Sequence, residues 1–565
     1  MNAHLSVDAA AVLPHIPQNA QRLLLLGERC EGLAAAFKNL NPTAFCLALR
    51  PLNAGKQMPD AAIDQWVHLD LDAGLSKLAV IKSPMDMVLV LPDTWALVKD
   101  AKRLLKELRR FMTKGGSCLV WAPNVAHWQR MENLLSGRDE KSLVFDSTQI
   151  VHLLKEAGWT VQTLGARQST PQQNEQALQR WSSVATGLNM ASEQVQRTLL
   201  TKQWLVKAVN GPANPELHVA AISLVKRIAG TNEARMQHPL HALKSLPGVR
   251  CAYGEGGLSI PSDYKPGILM LNRQFMTDPG LLAHLEKKVQ EGWLLVADMD
   301  DDPMHWEEYQ ASDFLAFKGV HAVTVSTPEL ARRISAWNPH VHVLPNAINW
   351  IDSKLQTIPK NKQRLRIFFG AINRQKDWQP IMQGVAAAAI NLGDSVEFVV
   401  VHDKAFHDAL PKTCLKTFHP TLTHAAYAKV LASCDMALLP LADTSFNRCK
   451  SDLKLIECAA AGVVPVCSRV VYAENPAHDS FVKFADTPAD WMATLIKLSK
   501  QMGELNRRAK LGYAYVSTTR MHSQQAAIRR DLYLRLRADR ELLEAQRQQR
   551  LKAMQTSPLA LAQVG

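Results

Sequence analysis

The stretch Phe446 to Val466, FNRCKSDLKLIECAAAGVVPV, places a polar loop before an apolar helix and a buried strand. Ser451 is a good N-cap, and the helix stops at Gly462. A helix N-terminus offers unpaired N–H groups and the positive end of a dipole. Lys450 and Lys454 stand beside this one, so the segment suits an anion. Glu457 lies one to two turns further in, where a carboxylate can accept hydrogen bonds from two vicinal hydroxyls, as a ribose presents. The residues alone leave a second reading open, a capped surface helix with a solvated glutamate.

A second cluster is acidic. Ala297-Asp298-Met299-Asp300-Asp301-Asp302-Pro303 closes an apolar run, and four carboxylates this close ionise together only if solvated, cation-bound or hydrogen-bonded. A solvated acidic loop, an acceptor-facing or catalytic acid group, and a divalent cation site all fit. His305 beyond it is a candidate base or a structural histidine.

Elements that position these residues are legible as short apolar runs alternating with helical periods. Leu23–Leu26, Ala44–Leu49, Met87–Leu91 and Cys118–Trp121 read as strands, with helices over 32–40, 99–111 and 150–157 between them. From Gln168 the composition turns polar and breaker-rich. A helix over Leu199, Leu200, Trp204 and Leu205 follows, and the stretch reads as a connector. A second α/β pattern has strands at Ile268–Leu271, Trp293–Ala297 and Val320–Val325. A third has Leu365–Phe369, Val396–Val401, Met436–Leu439 and Val463–Val466. After Met521 the chain is helical, with Ile528, Leu532, Leu536 and Leu543 in one narrow apolar stripe. The expectation is a multi-domain α/β protein of three Rossmann-like parallel-sheet units plus a C-terminal helix.

The 565 residues are 47% hydrophobic and 21% charged, which excludes a disordered or fibrous chain. The net charge of +13 suits an anionic partner, and part of it sits in the tail. That tail lacks interleaved aromatics, so no nucleic acid is expected. Nine scattered cysteines without CxxC pairs read as buried thiols in a reducing compartment. The first 21 residues carry no Lys or Arg, and no run of about 18 apolar residues occurs. A cytoplasmic protein, peripheral to a membrane face at most, is expected.

The 446–457 segment resembles the nucleotide-sugar site of retaining glycosyltransferases with the GT-B fold. In many of these a Glu-x7-Glu pattern spans the helix start. Glu457 matches the second Glu, and the first position is Cys449. The match is to a subgroup of bacterial surface-polysaccharide and protein-glycosylation enzymes. Phe446, Asn447, Lys450, Ser451, Asp452, Lys454 and Glu457 all agree with its signature. The resemblance implies that Lys450, Ser451, Asp452, Leu453, Lys454 and Glu457 bind the donor. It also implies that Gly370, Arg374 and Lys376 approach its diphosphate, with Lys376, Asp300 and Asp301 as catalytic candidates. Asp298, Asp302, His305, Asn346 and Asn447 would face the cleft or the acceptor, and Arg235 and Pro239 resemble the subgroup's first segment. The reaction implied is sugar transfer from a nucleoside diphosphate sugar to a glycan, lipid-linked or protein acceptor, without a metal.

Residues 20–165 resemble class I S-adenosylmethionine-dependent methyltransferases, on Asp86–Pro92, the turn at Gly115-Gly116 and Trp121-Ala122-Pro123-Asn124. Where that family has a glycine-rich turn, this chain reads Gly27-Glu28-Arg29-Cys30-Glu31, so side chains fill the space the cofactor needs. S-adenosylmethionine is therefore not expected. The expected organisation is a methyltransferase-like domain (1–167), a helical linker (168–215), two GT-B halves (216–350 and 351–518) and a basic helical tail (519–565), through which a homo-oligomer is conceivable. Non-catalytic scaffolding, and a bifunctional enzyme with an active front domain, are the competing readings.

Overall fold

The computed structural model describes residues 7–27, 31–52, 62–75, 83–138, 142–223, 230–257, 259–352, 355, 357–359 and 362–555. The chain divides into two compact units, Asn2–Glu216 with Lys244–Val249, and Leu217–Leu243 with Arg250–Gly565.

The first unit holds one seven-stranded sheet. Its strands are β1 (Arg22–Leu26), β2 (Phe45–Pro51), β3 (Gln65–Leu69), β4 (Met85–Val90), β5 (Met112–Pro123), β6 (Thr160–Gln168) and β7 (Thr201–Val209), in the order β3-β2-β1-β4-β5-β7-β6. The first five in that order are parallel, as the alternating pattern predicts. The last two correct it. β7 runs antiparallel to both β5 and β6, so Trp204 and Leu205 lie on a strand and not on a helix of a connector. Trp204, Leu205, Val206, Ala208 and Val209 are all buried, and such a run fits helix and strand alike by spacing. Residues 168–215 thus supply the last-but-one strand of the first sheet, between β5 and β6. β5 also passes through Gly115-Gly116, where a break was expected. Of the Gly27–Glu31 turn, residues 28–30 lie outside the described residues, and Gly27 sits at φ 138°.

The second unit contains two six-stranded sheets. One is built from β8 (Leu217–Ser223), β9 (Val249–Glu255), β10 (Ile268–Asn272), β11 (Leu294–Met299), β12 (Ala322–Val325) and β13 (Val341–Val343), ordered β13-β12-β11-β10-β8-β9. The other has β14 (Leu365–Gly370), β15 (Val396–Val401), β16 (Leu415–His419), β17 (Met436–Leu439), β18 (Val464–Cys467) and β19 (Lys483–Phe484), ordered β16-β15-β14-β17-β18-β19 and parallel throughout. β10, β11, β12 and β17 are buried at every residue, the signature of parallel strands covered on both faces. The order reverses direction between β8 and β10 in one sheet and between β14 and β17 in the other. At such switch points the connections leave in opposite directions and open a crevice at the strands' carboxyl ends.

The chain crosses between the two sheets twice, and the crossings pair. Ile348 N–H donates to Arg520 O at 2.7 Å and His522 N–H to Ile348 O at 2.9 Å. Beyond the second crossing, helices 522–538 and 540–555 return to the β8–β13 half. Leu532, Tyr533, Leu536 and Leu543 are buried there, each burial stabilising by about 1.5–3 kcal/mol, while Ile528 is exposed. Tyr533 Oη meets Met270 Sδ at 3.0 Å, and Arg547 pairs with Glu286 at 2.8 Å. Much of the tail's apolar stripe is therefore used within the chain. No described helix is long and apolar enough to cross a membrane.

Candidate functional site

A cleft of about 360 Å³ opens where the two switch points meet. The β8–β13 half contributes Gly230 and Thr231 after β8, Arg273 after β10, and Asp300 and Asp301 after β11. The β14–β19 half contributes Phe369 to Ile372, Arg374, His402, His424, Tyr427, Leu438 to Leu441, Lys450, Ser451, Leu453, Lys454, Glu457 and Tyr472. Backbone strain gathers here. Arg273, Asn373 and His402 sit at φ 52°, 54° and 70°, the left-handed region that side chains other than glycine rarely adopt and that concentrates at functional sites. Gly370 is required for a different reason. A Cβ there would lie 2.6 Å from Phe368 Cζ and 2.8 Å from Tyr427 Cε2.

The acidic cluster is neither solvated nor open; each carboxylate has its own cation. Arg273 grips Asp300 through Nε at 2.8 Å and Nη2 at 2.7 Å. Burial alone would raise the Asp300 pKa, but Arg273, then Arg235 and Lys450, hold it below the ordinary carboxylate value, so it stays ionised. Asp301 pairs with Lys450 across the cleft. Asp302 pairs with Arg333 at 2.6 Å and accepts from Met304 N–H at 3.1 Å. Asp298 is 1% exposed and takes both arms of buried Arg235, at 3.0 and 2.7 Å, with Thr324 Oγ1 donating at 2.7 Å. Arg235 also donates to Asn346 Oδ1 at 3.0 Å, and Asn346 Nδ2 donates to Ser451 Oγ at 2.7 Å. Asp298 therefore braces Asn346 from behind instead of facing the cleft.

On the opposite wall the 453–460 helix begins one residue later than the sequence suggests. Asp452 occupies the N-cap position, and Ser451 Oγ accepts from Leu453 N–H at 3.4 Å. The Asp452 carboxylate is taken by Arg520, whose Nη2 is 2.7 Å from Oδ1, so it fastens the second crossing and does not line the cleft. Lys454 Nζ donates to Gly370 O. Burial first, then neighbouring Arg374, lowers the Lys454 pKa to about 8. Burial also lowers that of Lys450, against the pull of Asp301. Lys450 Nζ stands 4.3 Å above the Phe446 ring, a cation–π contact. The Glu457 side chain is 20% exposed, 3.8 Å from His424 Nε2.

Ten of the sequence-predicted residues meet in this cleft: Asp300, Asp301, Asn346, Gly370, Arg374, Lys450, Ser451, Leu453, Lys454 and Glu457. Six do not. Lys376 is exposed, because its short 375–378 helix turns Asp377 and Trp378 inward. Asn447 is buried and works from behind, donating to Asp377 Oδ1 at 2.6 Å and accepting from Arg374 Nη1 at 3.0 Å. His305 packs its ring 4.5 Å from Phe446 as an aromatic prop. Asp298, Asp302 and Asp452 are spent on Arg235, Arg333 and Arg520. Cys449 is fully buried in the apolar core of the β8–β13 half, its carbonyl accepting from Thr327 Oγ1 at 3.2 Å. Arg273, His402, His424 and Tyr427 line the cleft without having been singled out. The signal that marks the first is its position directly after a fully buried strand.

No protein-family model and no curated protein matches the chain. Among solved structures, TarM is similar at 10% identity and TM-score 0.35, covering 48% of this chain and 54% of that one, so the chain spans about half of TarM. WaaG, a glycosyltransferase involved in lipopolysaccharide biosynthesis, is similar at 16% identity and TM-score 0.39 over 55% of this chain and 99% of its own. Anabaena HepE in complex with UDP-glucose is similar at 11% identity and TM-score 0.39, over 56% and 100%.

Proposed function

We propose that the unit from Leu217 onward is a GT-B glycosyltransferase taking its sugar from a nucleoside diphosphate donor. The observation that carries this reading is the cleft itself. Two sheets turn their switch points to one space, and Arg273, Arg374, Lys450, Lys454 and the start of the 453–460 helix converge there at the carboxyl end of β14. In this reading Glu457 accepts from the ribose hydroxyls. Arg374, Lys450 and Lys454 neutralise the diphosphate as charge develops on it during departure. Asn447 orients Arg374, and Asp298 with Arg235 orients Asn346 and hence Ser451. Asp300 and Asp301 present the acceptor side. The acceptor is a glycan, a lipid-linked sugar or a protein, and retention of anomeric configuration follows the resemblance of the 446–457 segment. The first unit serves as a docking domain without its own cofactor.

Thermal unfolding with UDP, GDP, CDP and dTDP, their common sugars and S-adenosylmethionine tests this. A ligand at 100 times its Kd stabilises by about 2.7 kcal/mol, a visible shift. A shift with one nucleotide family, absent in E457A, is the expected result; no shift with any nucleotide rejects the reading. One observation favours the scaffold alternative. Cys449 is sealed in an apolar core where the resembled enzymes carry their first Glu. Nucleotide binding with neither sugar transfer nor donor hydrolysis would select it.

A further inference from the structure

Glu457 has a neighbour that the nucleotide-sugar reading leaves without a task. His424 opens the 424–432 helix behind its Thr423 cap, lines the cleft, and places Nε2 3.8 Å from Glu457 Oε1. Its ring does not stand alone. The His238 ring centroid is 5.7 Å behind it, and that of His522 lies 6.3 Å beyond His238, so three imidazoles lead from the cleft into the interior. The inner two are held neutral. Burial and then neighbouring histidines push His238 down to about 3 and His522 well below its ordinary value. His424 alone is drawn the other way. Glu457 raises its pKa most, against burial, and Glu233 adds to the rise. The groups that face it are Glu457 from the 453–460 helix, Glu233 from the 233–237 turn and His238. On its own helix stands Tyr427, whose phenol burial keeps neutral.

We propose that His424 is a positioning residue for the donor. As an imidazolium it engages one oxygen of Glu457, fixing the carboxylate so that its other oxygen meets the ribose. This rests on the proposed function. A charge-assisted contact is about twice as strong as a neutral one. Loss of the His424 proton therefore loosens Glu457 and weakens nucleotide binding, and a fixed cation at position 424 abolishes that dependence. Below the raised His424 pKa the pair is intact, and above it the pair is lost.

The test is calorimetric Kd, across the range where histidine titrates, for whichever of UDP, GDP, CDP and dTDP binds. It uses the full chain as wild type, H424Q, H424K and E457Q. The wild-type Kd is expected to rise about 3–10-fold through this range. In H424Q it is expected to be high and level, and in H424K low and level, with the weakening near pH 8 from Lys454 common to all. Were H424Q unfolded, H424K decides alone, since a wild-type-like dependence in it overturns the proposal. So does a wild-type profile parallel to that of H424Q. Absence of binding by every nucleotide fails the proposed function instead. Binding lost in E457Q but indifferent to residue 424 fails only this inference.

Discussion

Lys450 is committed twice. In the proposed reading it meets the diphosphate, yet it already pairs with Asp301 from the opposite half. Among the described residues, four cations (Arg273, Arg374, Lys450, Lys454) and three carboxylates (Asp300, Asp301, Glu457) line the cleft. Neutralising Asp301 therefore adds a whole positive charge where an anion binds and removes the competitor for Lys450. The magnitude follows from the burial of the pair. Two unit charges about 4 Å apart interact by about 4 kcal/mol at an effective dielectric constant of about 20, while solvent-exposed pairs are worth about 0–1 kcal/mol. Side chains that are 18% and 10% exposed stand between these limits. Since Asn keeps the shape and the neighbour's N–H contact, D301N is expected to gain about 1–2 kcal/mol, or about 5–30-fold tighter nucleoside diphosphate binding. Isothermal titration at two ionic strengths reads this directly. The gain should shrink with salt and be smaller when D301N is made in a K450M background, where only the change in net charge remains. Unchanged or weaker binding by D301N, with an unchanged melting temperature, would refute the assignment of Lys450 to the diphosphate.

Arg374 and Lys376 separate the structural reading from the sequence pattern. R374Q is expected to weaken diphosphate binding about tenfold through the loss of a charged hydrogen bond, and K376A by less than twofold, measured by the same titration. E457Q is expected to raise Kd about tenfold or more for nucleoside diphosphates while leaving pyrophosphate binding within about twofold, because only the former carries a ribose. Lys454 is charged below about pH 8. Donor kcat/KM should accordingly fall as pH rises through about 8, seen in a pH–rate profile of the free enzyme. D298N leaves Arg235 buried without its ion partner and should cost about 3–5 kcal/mol, read as a melting temperature lowered by several degrees.

How much was legible in the sequence depended on whether the information was local. The 446–457 segment carries its chemistry within three turns of chain, so Lys450, Lys454 and Glu457 were recognisable and reach the cleft together. Arg273 and His402 come from two separated strand ends and His424 from a helix start, and only the strand order brings them there. The positive φ of Arg273 and His402 leaves no mark either, because neither position is glycine. Arg374 reaches the cleft and Lys376 stays exposed because the short 375–378 helix turns Asp377 and Trp378 inward, which spacing alone does not fix. The acidic run was visible, but its division into Asp298 as buried brace and Asp300 and Asp301 as cleft wall is a fact of pairing with distant arginines and a lysine. The strand β7 was missed because its buried run Trp204–Val209 shows no alternation to distinguish it from a buried helix.

The return of the 522–555 helices to the β8–β13 half has a consequence for synthesis. Residues from 217 to about 350 emerge from the ribosome well before the helices that cover Met270 and pair with Glu286 exist. At about 5–20 residues per second the interval is on the order of ten seconds or more, during which the β14–β19 half can complete its own sheet. The earlier half then waits with apolar surface uncovered while its successor closes. A released chain truncated after Met521 should be sensitive to protease in the β8–β13 strands and resistant in the β14–β19 strands.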